Sequence, residues 1–317
     1  RAQLLAAVAL PASAFRRPGL NAHAHLILLH KAGGRAAPAL MLERRPAGRG
    51  QLPRVLEAML SDLQRLRAGS GDVDGSAVVP ADQLPSRRWD SGYWVGRSQR
   101  VCSWNARLPT RDLGDFVELL TYGPIVTGSR AEHVPQGVVS VRQGDFTETG
   151  LRRHDLLRIA PDSDHDPPRS RLRRGDLLMP RSGGGALGRN RVAVYDADEP
   201  ANIGCFVDLI RLQELNPYYA WVFLRSRPGW GQIRSLINGV GTPNISFREI
   251  RSLRVPLLPP PEQSQFEDLY RSQVLPIHLR AHRSDDLGRQ AEAAFDALVC
   301  RLERRLGIAD GPARPRL

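Results

Sequence analysis

The chain has 317 residues, 41% of them hydrophobic and 25% charged, enough for one or two domains with a real core. No apolar run reaches the ~18 residues a membrane-spanning helix needs, and Cys102, Cys205 and Cys300 have neither metal-ligand spacing nor a disulfide pattern, as suits a reducing cytosol. The net charge of +12, from 45 Lys and Arg against 33 Asp and Glu, suits a polyanionic partner. Lys31 is the only lysine. Arginine favours bidentate contact with phosphate and guanine, although arginine richness also follows from genomic base composition.

Leu4 to Leu10, ended by Pro11, and His23 to His30 read as buried strands. The apolar start resembles a signal peptide, but Arg16 and Arg17 follow the apolar stretch instead of preceding it. A start in mid-pattern at Arg1 gives the expectation of a fragment of a longer chain. His23 and His25 share a strand face without a Cys or carboxylate partner nearby, so they read as core or edge histidines and not as metal ligands. Ala32 to Gly50 reads as a loop. Leu52, Val55, Leu56, Met59, Leu60, Leu63 and Leu66 have helical spacing and predict a helix over 52–66. Ala68 to Gly75 reads as a turn, and Val78-Val79-Pro80 begins a short extended piece. Arg87 to Trp104 mixes Trp89, Tyr93, Trp94 and Trp104 with arginines; packing is favoured over base stacking for these rings.

Leu113 to Leu120 reads as helical or extended, Val138 to Val141 as a strand, and Arg142-Gln143-Gly144-Asp145 as a turn. Arg152 to Arg174, centred on Asp162 to Pro168, reads as a solvated loop. Leu177 to Met179 and Val192 to Tyr195 flank a Gly-rich stretch and predict a β-hairpin with a long loop. Its loop carries Arg181, Arg189 and Arg191, a small cationic tip suited to phosphate or a base edge; a solvated turn fits as well. Gly183 and Gly188 are spaced as in a phosphate-cradling loop. Arg189 and Asn190 stand where Lys and a hydroxyl are needed, and a strand-like run follows where a helix should start.

Asn216-Pro217-Tyr218-Tyr219 starts a helix with Pro217 at its first position, running to about Ser226. Trp230 to Ile237 predicts a second, and Asn238 to Ser246 a tight turn. Ser246 caps Phe247 to Leu253 with Glu249 at capping-box spacing. Val255 to Leu258 reads as a strand halted by Pro259-Pro260-Pro261. Glu262 to Leu306 reads as one long helix or two, broken at Pro276. Leu287, Ala291, Ala294, Phe295, Leu298, Leu302 and Leu306 form an apolar stripe that requires a partner surface, on this chain or another. Gly311 to Leu317 reads as a disordered basic tail.

Four groups of residues occur in register: Gly175-Asp176-Leu177-Leu178 with Arg181-Ser182-Gly183 and Gly188; Asn216-Pro217-Tyr218-Tyr219; Asn238-Gly239 to Pro243-Asn244-Ile245-Ser246; and Val255-Pro256-Leu257 with Pro259-Pro260-Pro261-Glu262-Gln263. Together they resemble the target recognition domain of type I restriction-modification specificity subunits, over about Leu113 to Leu306. That family usually carries two such domains, each followed by a long helix, and this chain has one. Val8-Ala9-Leu10-Pro11 to Phe15 and Asn21 to Lys31 resemble, more weakly, the last two strands of an adenine-specific DNA methyltransferase domain.

The resemblance implies an α+β fold: a mixed recognition domain of short strands, hairpins and helices, a long C-terminal helix, and an N-terminal remnant of an α/β methyltransferase sheet. The implied division is 1–50 remnant, 51–110 connector, 111–261 recognition domain, 262–306 helical docking element and 307–317 tail. It implies a cytoplasmic protein that binds double-stranded DNA by sequence and directs adenine methylation. Its implied partners are a methyltransferase subunit or domain, and a restriction subunit or second recognition subunit, with no membrane. S-adenosylmethionine is expected on the methyltransferase partner or upstream domain, since no glycine-rich cofactor loop follows a strand here. Asp166-Pro167-Pro168-Arg169 imitates the methyltransferase motif but lacks its aromatic residue, so it reads as a surface turn, with no catalytic residue in the chain. The expected DNA contacts are Arg181, Ser182, Arg189, Asn190 and Arg191, then Arg142, Gln143, Thr242 and Asn244. Two other readings stay open: the tail of a fused adenine methyltransferase, and a protein-interaction module built on the aromatic and helical stripes.

Overall fold

The structure is a computed structural model and describes residues 2–10, 24–31, 38–43, 52–69, 76–81, 89, 91, 94–95, 104, 107–126, 133–237 and 243–308. Most of 87–104, His23, Asn238 to Thr242 and the tail after 308 lie outside the described residues. The chain divides into two compact units, 1–102 with 239–241, and 103–238 with 242–317.

The first unit holds β1 (Ala2–Leu10), β2 (Ala24–Lys31), β3 (Ala39–Glu43), α1 (Leu52–Arg67) and β4 (Ser76–Val79). The sheet order is β2-β1-β3-β4, with β1 parallel to β3 and the other pairs antiparallel. A bulge between Leu4 and Ala6 shifts the alternation of β1. Leu4 and Ala7 therefore join one core with Met41, Val79 and Trp94, while Val8 joins Leu42 and Met59 of α1. The residues expected as a loop before the helix include β3, an interior strand. The strand expected to be buried at His23 to His30 is instead the sheet edge, with Leu26 and Leu29 each 52% exposed. An apolar run alone does not say whether both faces of a strand are covered. β4 pairs with β3, so Ser76–Val79 belongs to this sheet.

The second unit contains β5 (Thr110–Asp112), β6 (Val117–Tyr122), β7 (His133–Val141), β8 (Phe146–Thr147), β9 (Gly150–Leu151), β10 (Arg158–Ile159), β11 (Leu177–Pro180), β12 (Ala193–Val194), β13 (Ala201–Ile203), β14 (Val207–Leu212) and β15 (Arg254–Pro256). Its helices are α2 (Pro217–Arg225), α3 (Arg227–Leu236), α4 (Phe247–Arg251), α5 (Pro260–Leu269), α6 (Leu275–His278) and α7 (Asp285–Arg305). Two sheets, β10-β7-β13 and β12-β11-β14-β6, face a common core of Val139, Val141, Phe146, Leu178, Ile203, Val207 and Leu209. This is the α+β architecture expected.

The predicted hairpin is present, with Leu177 opposite Val194 and Leu178 opposite Ala193. A 3-10 turn, Leu187–Arg189, closes its loop and leads into β12, so no helix opens where a phosphate cradle would need one. Gly123 lies against the turn after β13: a Cβ there would overlap the Ile203 carbonyl oxygen, so only glycine lets the two backbones approach.

Helix α2 is buried from Tyr218 through Arg225. Asn216 caps it by accepting from the Tyr218 and Tyr219 amides at 2.9 and 3.1 Å. Trp221 Nε1 donates to the Val192 carbonyl at 2.6 Å, and its ring meets Phe295 at 4.7 Å and Tyr270 at 4.9 Å. The apolar stripe of α7 thus packs on this chain's own body: Ala291, Phe295, Leu298, Leu302 and Leu306 are buried.

The C-terminal helical region breaks after Pro276 and not at it. A π turn, Tyr270–Val274, precedes α6 and leaves Pro276 in its first turn, where a missing N–H costs little. The interruption comes between Leu279 and Ser284, and Ser284 caps α7. The supposed solvated loop 152–174 is also more ordered than expected. It contains β10, and Asp166 is 1% exposed. Arg171 bonds Asp166 through Nη2 at 2.6 Å, Asn202 Nδ2 donates to it at 2.7 Å, and the Asp162 amide at 3.0 Å. The surface-turn reading of Asp166 is corrected by this network, which compensates the burial of a carboxylate.

Trp221→Ala is expected to destabilise the protein by roughly 3–5 kcal/mol, from lost packing and an unpaired Val192 carbonyl. Asn216→Ala should cost about 1 kcal/mol through the cap alone. Urea unfolding of both variants checks the order and the gap.

Candidate nucleic-acid interface

Strand β7 delivers its chain into a 3-10 turn, Gln143–Asp145. Asp145 is fully buried and locks this turn, accepting from the Arg142 amide at 2.8 Å and from the Arg152 guanidinium. Arg142 is left exposed and Gln143 half-buried. Gln143 Nε2 donates to the Ser182 carbonyl at 2.6 Å and to the Phe206 carbonyl at 3.2 Å. The Phe206 carbonyl also accepts from the Arg181 amide at 2.9 Å.

The hairpin loop is held from its other side by the segment before α4. Ser182 and Asn244 form an antiparallel bridge, and the Gly183 amide donates to the Pro243 carbonyl at 3.0 Å. The predicted capping box is present: Ser246 Oγ accepts from the Glu249 amide, and Glu249 Oε2 accepts from the Ser246 amide at 2.8 Å. Residues far apart in sequence, 142–143, 181–183 and 243–246, thereby meet in one hydrogen-bonded frame.

Beneath it lies an aromatic and ionic cluster. Alternation along β14 points Val207 and Leu209 into the core and places Asp208 in register with Tyr122 of β6. Arg181 Nη1 donates to Asp208 Oδ1 at 3.0 Å, and its guanidinium stacks 4.6 Å from Tyr122 and 5.3 Å from Phe247. Arg169 bonds the Thr121 hydroxyl at 3.0 Å and the Tyr122 carbonyl at 2.9 Å. Asp208 is completely buried, and desolvation pushes its carboxyl up to about 7 despite the opposing pull of Arg181.

The remaining hairpin residues divide. Arg189 is exposed at the end of the 3-10 turn, and its guanidinium makes no hydrogen bond or ion pair with the other described residues. Asn190 is buried in the left-handed conformation, φ 53°, with Nδ2 donating to the Leu224 carbonyl at 2.9 Å. Arg191 turns inward to Glu148, at 3.1 Å, and to the Phe146 carbonyl, at 3.2 Å. Thr242 lies outside the described residues. Arg142, Gln143, Arg181, Ser182 and Asn244 are brought together; Asn190 and Arg191 serve the folding of the hairpin. Sequence reasoning missed Phe206, Tyr122, Phe247, Asp208 and Arg169, which join the frame only through tertiary contacts: Asp208 and Tyr122 by strand pairing, the others by hydrogen bonds and ring contacts.

No protein-family model matches the sequence, and no curated protein matches it. Among solved structures, the S subunit of a type I restriction-modification system from M. genitalium is 16% identical, over 62% of this chain and 49% of that one, with a TM-score of 0.36. The HsdS subunit from Thermoanaerobacter tengcongensis is 15% identical over 78% and 56%, with a TM-score of 0.39. The chain is similar to type I specificity subunits. It is also similar to the type IIG restriction endonuclease BpuSI, at 11% identity over 96% of this chain and 44% of that one, TM-score 0.44. The chain spans about half the length of the solved chains it matches. Among the described residues, no three or more His, Cys, Asp or Glu side chains are grouped to hold a metal, and no helix is long and apolar enough to cross a membrane.

Between its ordinary value of 3.8 and about 7, Asp208 holds a proton in the folded state that it loses when unfolded. Stability should therefore fall as pH rises through this window, because the folded state binds more protons there. Asp208→Asn should flatten that slope; urea midpoints across the window measure it, and an unchanged slope would place the titration elsewhere.

Proposed function

We propose that the second unit recognises double-stranded DNA by sequence in a restriction-modification or phage-defence system, directing adenine methylation to its site. The observation that carries this reading is the convergence of Arg142, Gln143, Ser182 and Asn244 on one exposed rim, beside a hairpin whose tip presents Arg189. Polar side chains fixed by a backbone frame can read base edges in a major groove, while arginines grip phosphate. Gln143 spends its amide N–H groups on two carbonyls and keeps Oε1 as an acceptor. Ser182 and Asn244 offer both donors and acceptors. Arg181 acts below the rim, held by Asp208 and two rings, as a positioning residue. Thr242 stays in the proposed set on the sequence reading alone; Asn190 and Arg191 are left out of it.

The partners proposed are a methyltransferase subunit or domain, which would carry S-adenosylmethionine, and a restriction subunit or second recognition subunit. In this chain Asp166 cannot meet a flipped base, because Arg171 and Asn202 enclose its carboxylate. The reading as the end of a fused adenine methyltransferase rests on the resemblance of the first strands and assigns the second unit the same DNA task. The protein-interaction reading loses its main support, since the apolar stripe of α7 is covered by α2 and its neighbours.

Duplex binding should weaken steeply with salt. Arg189→Ala should cost on the order of 1–3 kcal/mol, with preference lost at one base if Arg189 reads a guanine. A uniform loss on all sequences, with the salt slope reduced by about one, would mark a phosphate contact. Fluorescence anisotropy over a salt series separates these. Absence of binding to any duplex, with the methyltransferase partner present, would overturn the proposal.

A further inference from the structure

We infer that Phe206 is an apolar wedge that enters the base stack at one step of the bound duplex; this rests on the DNA-recognition reading above. Phe206 is 58% exposed, while Phe116, Phe146, Phe223, Phe266 and Phe295 are buried. An isolated exposed ring would be unremarked on any surface. This one stands inside the polar frame. It ends the tight turn between β13 and β14, where the Gly204 amide donates to the Val141 carbonyl at 2.8 Å and the Val207 amide to the Gly204 carbonyl at 3.0 Å.

The Phe206 carbonyl is gripped twice, by the Arg181 amide at 2.9 Å and by Gln143 Nε2 at 3.2 Å. Gln143, proposed to read DNA, and the Arg181 main chain therefore fix its backbone, while its ring stays exposed. The same turn touches the exposed arginine: a Cβ on Gly204 would lie 3.6 Å from Arg142 Cγ. The backbone that presents the ring is thus held by polar groups of the same frame. That setting is unlike the apolar centre of a protein interface. It matches a side chain inserted between base pairs, where phosphate and base-edge contacts on either side offset the cost of unstacking. Phe206 would then act as a specificity residue, because steps that unstack easily accept a wedge at lower cost.

The test selects binding sites from a randomised duplex library with the full chain and its methyltransferase partner, then places 2-aminopurine along the selected site. Wild type should raise 2-aminopurine fluorescence at one step. Phe206→Ala should abolish that rise, weaken binding by roughly 5- to 150-fold and leave the salt slope unchanged, since no charge is removed. Phe206→Trp should keep the signal, and because the position is exposed neither variant should shift the urea midpoint. If wild type binds no duplex, the DNA-recognition reading itself fails. If wild type binds and Phe206→Ala keeps both affinity and signal, the wedge is overturned and the recognition reading stands. A change in oligomeric state in Phe206→Ala, with DNA binding intact, would assign the ring to a protein contact and also overturn it.

Discussion

Helix α2 has no solvent face along Tyr218 to Arg225, so every polar group it carries must find a partner within the protein. Those obligations determine where its neighbours stand. Tyr218 OH donates to Asp196 at 2.7 Å, Tyr219 OH to the Pro256 carbonyl of β15, and Trp221 Nε1 to the Val192 carbonyl just before β12. The Leu224 carbonyl accepts from Asn190 at the base of the hairpin loop. The aromatic faces receive α5, the π turn and α7 through Phe266, Tyr270 and Phe295. One buried helix thus fixes the hairpin, the last strand and the C-terminal helices. Burial also pushes the hydroxyls of Tyr218, Tyr219 and Tyr270 well above their ordinary range, keeping them protonated donors.

The arginines take on a different meaning once the fold is present. Arg211 and Asp176 form a nearly dry pair that ties β14 to the turn before β11, at 2.7 Å. Arg191 and Arg225 share Glu148, and Arg227 pairs with Glu303 of α7. A buried carboxylate of this kind needs its cation, because an unpaired charge in the interior is costly. More exposed pairs, such as Arg305 with Glu262, contribute little to stability by comparison. The net charge of +12 therefore describes a chain in which many cations already have structural partners. Of the exposed arginines near the hairpin, Arg142 lies 3.7 Å from Asp145, while Arg189 has no such partner among the described residues.

The rim of the proposed interface is braced for a physical reason. Gln143 is tied through its side chain to the Ser182 and Phe206 carbonyls, and Ser182 and Asn244 through their main chains. Arg181 is clamped between an ionic partner and two rings. Pre-ordering of this sort lowers the conformational entropy lost on binding.

The local signals in the sequence were sound wherever the cause was itself local. The 3.6-residue spacing of α1, the Asn216-Pro217 start of α2, the Ser246–Glu249 capping box and the Gly-rich hairpin are all decided by neighbours a few residues away, and all are present. The parity shift in β1, the exposed edge position of β2, the burial of Asp166 and the late break in the C-terminal helices depend on partners distant in the chain. The candidate site shows the same division. Its residue types were legible as arginines and amides near glycine turns. Which of them face outward was decided by tertiary structure: Asn190 and Arg191 carry the same chemistry as Gln143 and Arg142, yet Leu224 and Glu148 draw the first pair inside. A sequence sets how a side chain can bond. Only the packed chain settles whether another part of the protein reaches that bond before a ligand does.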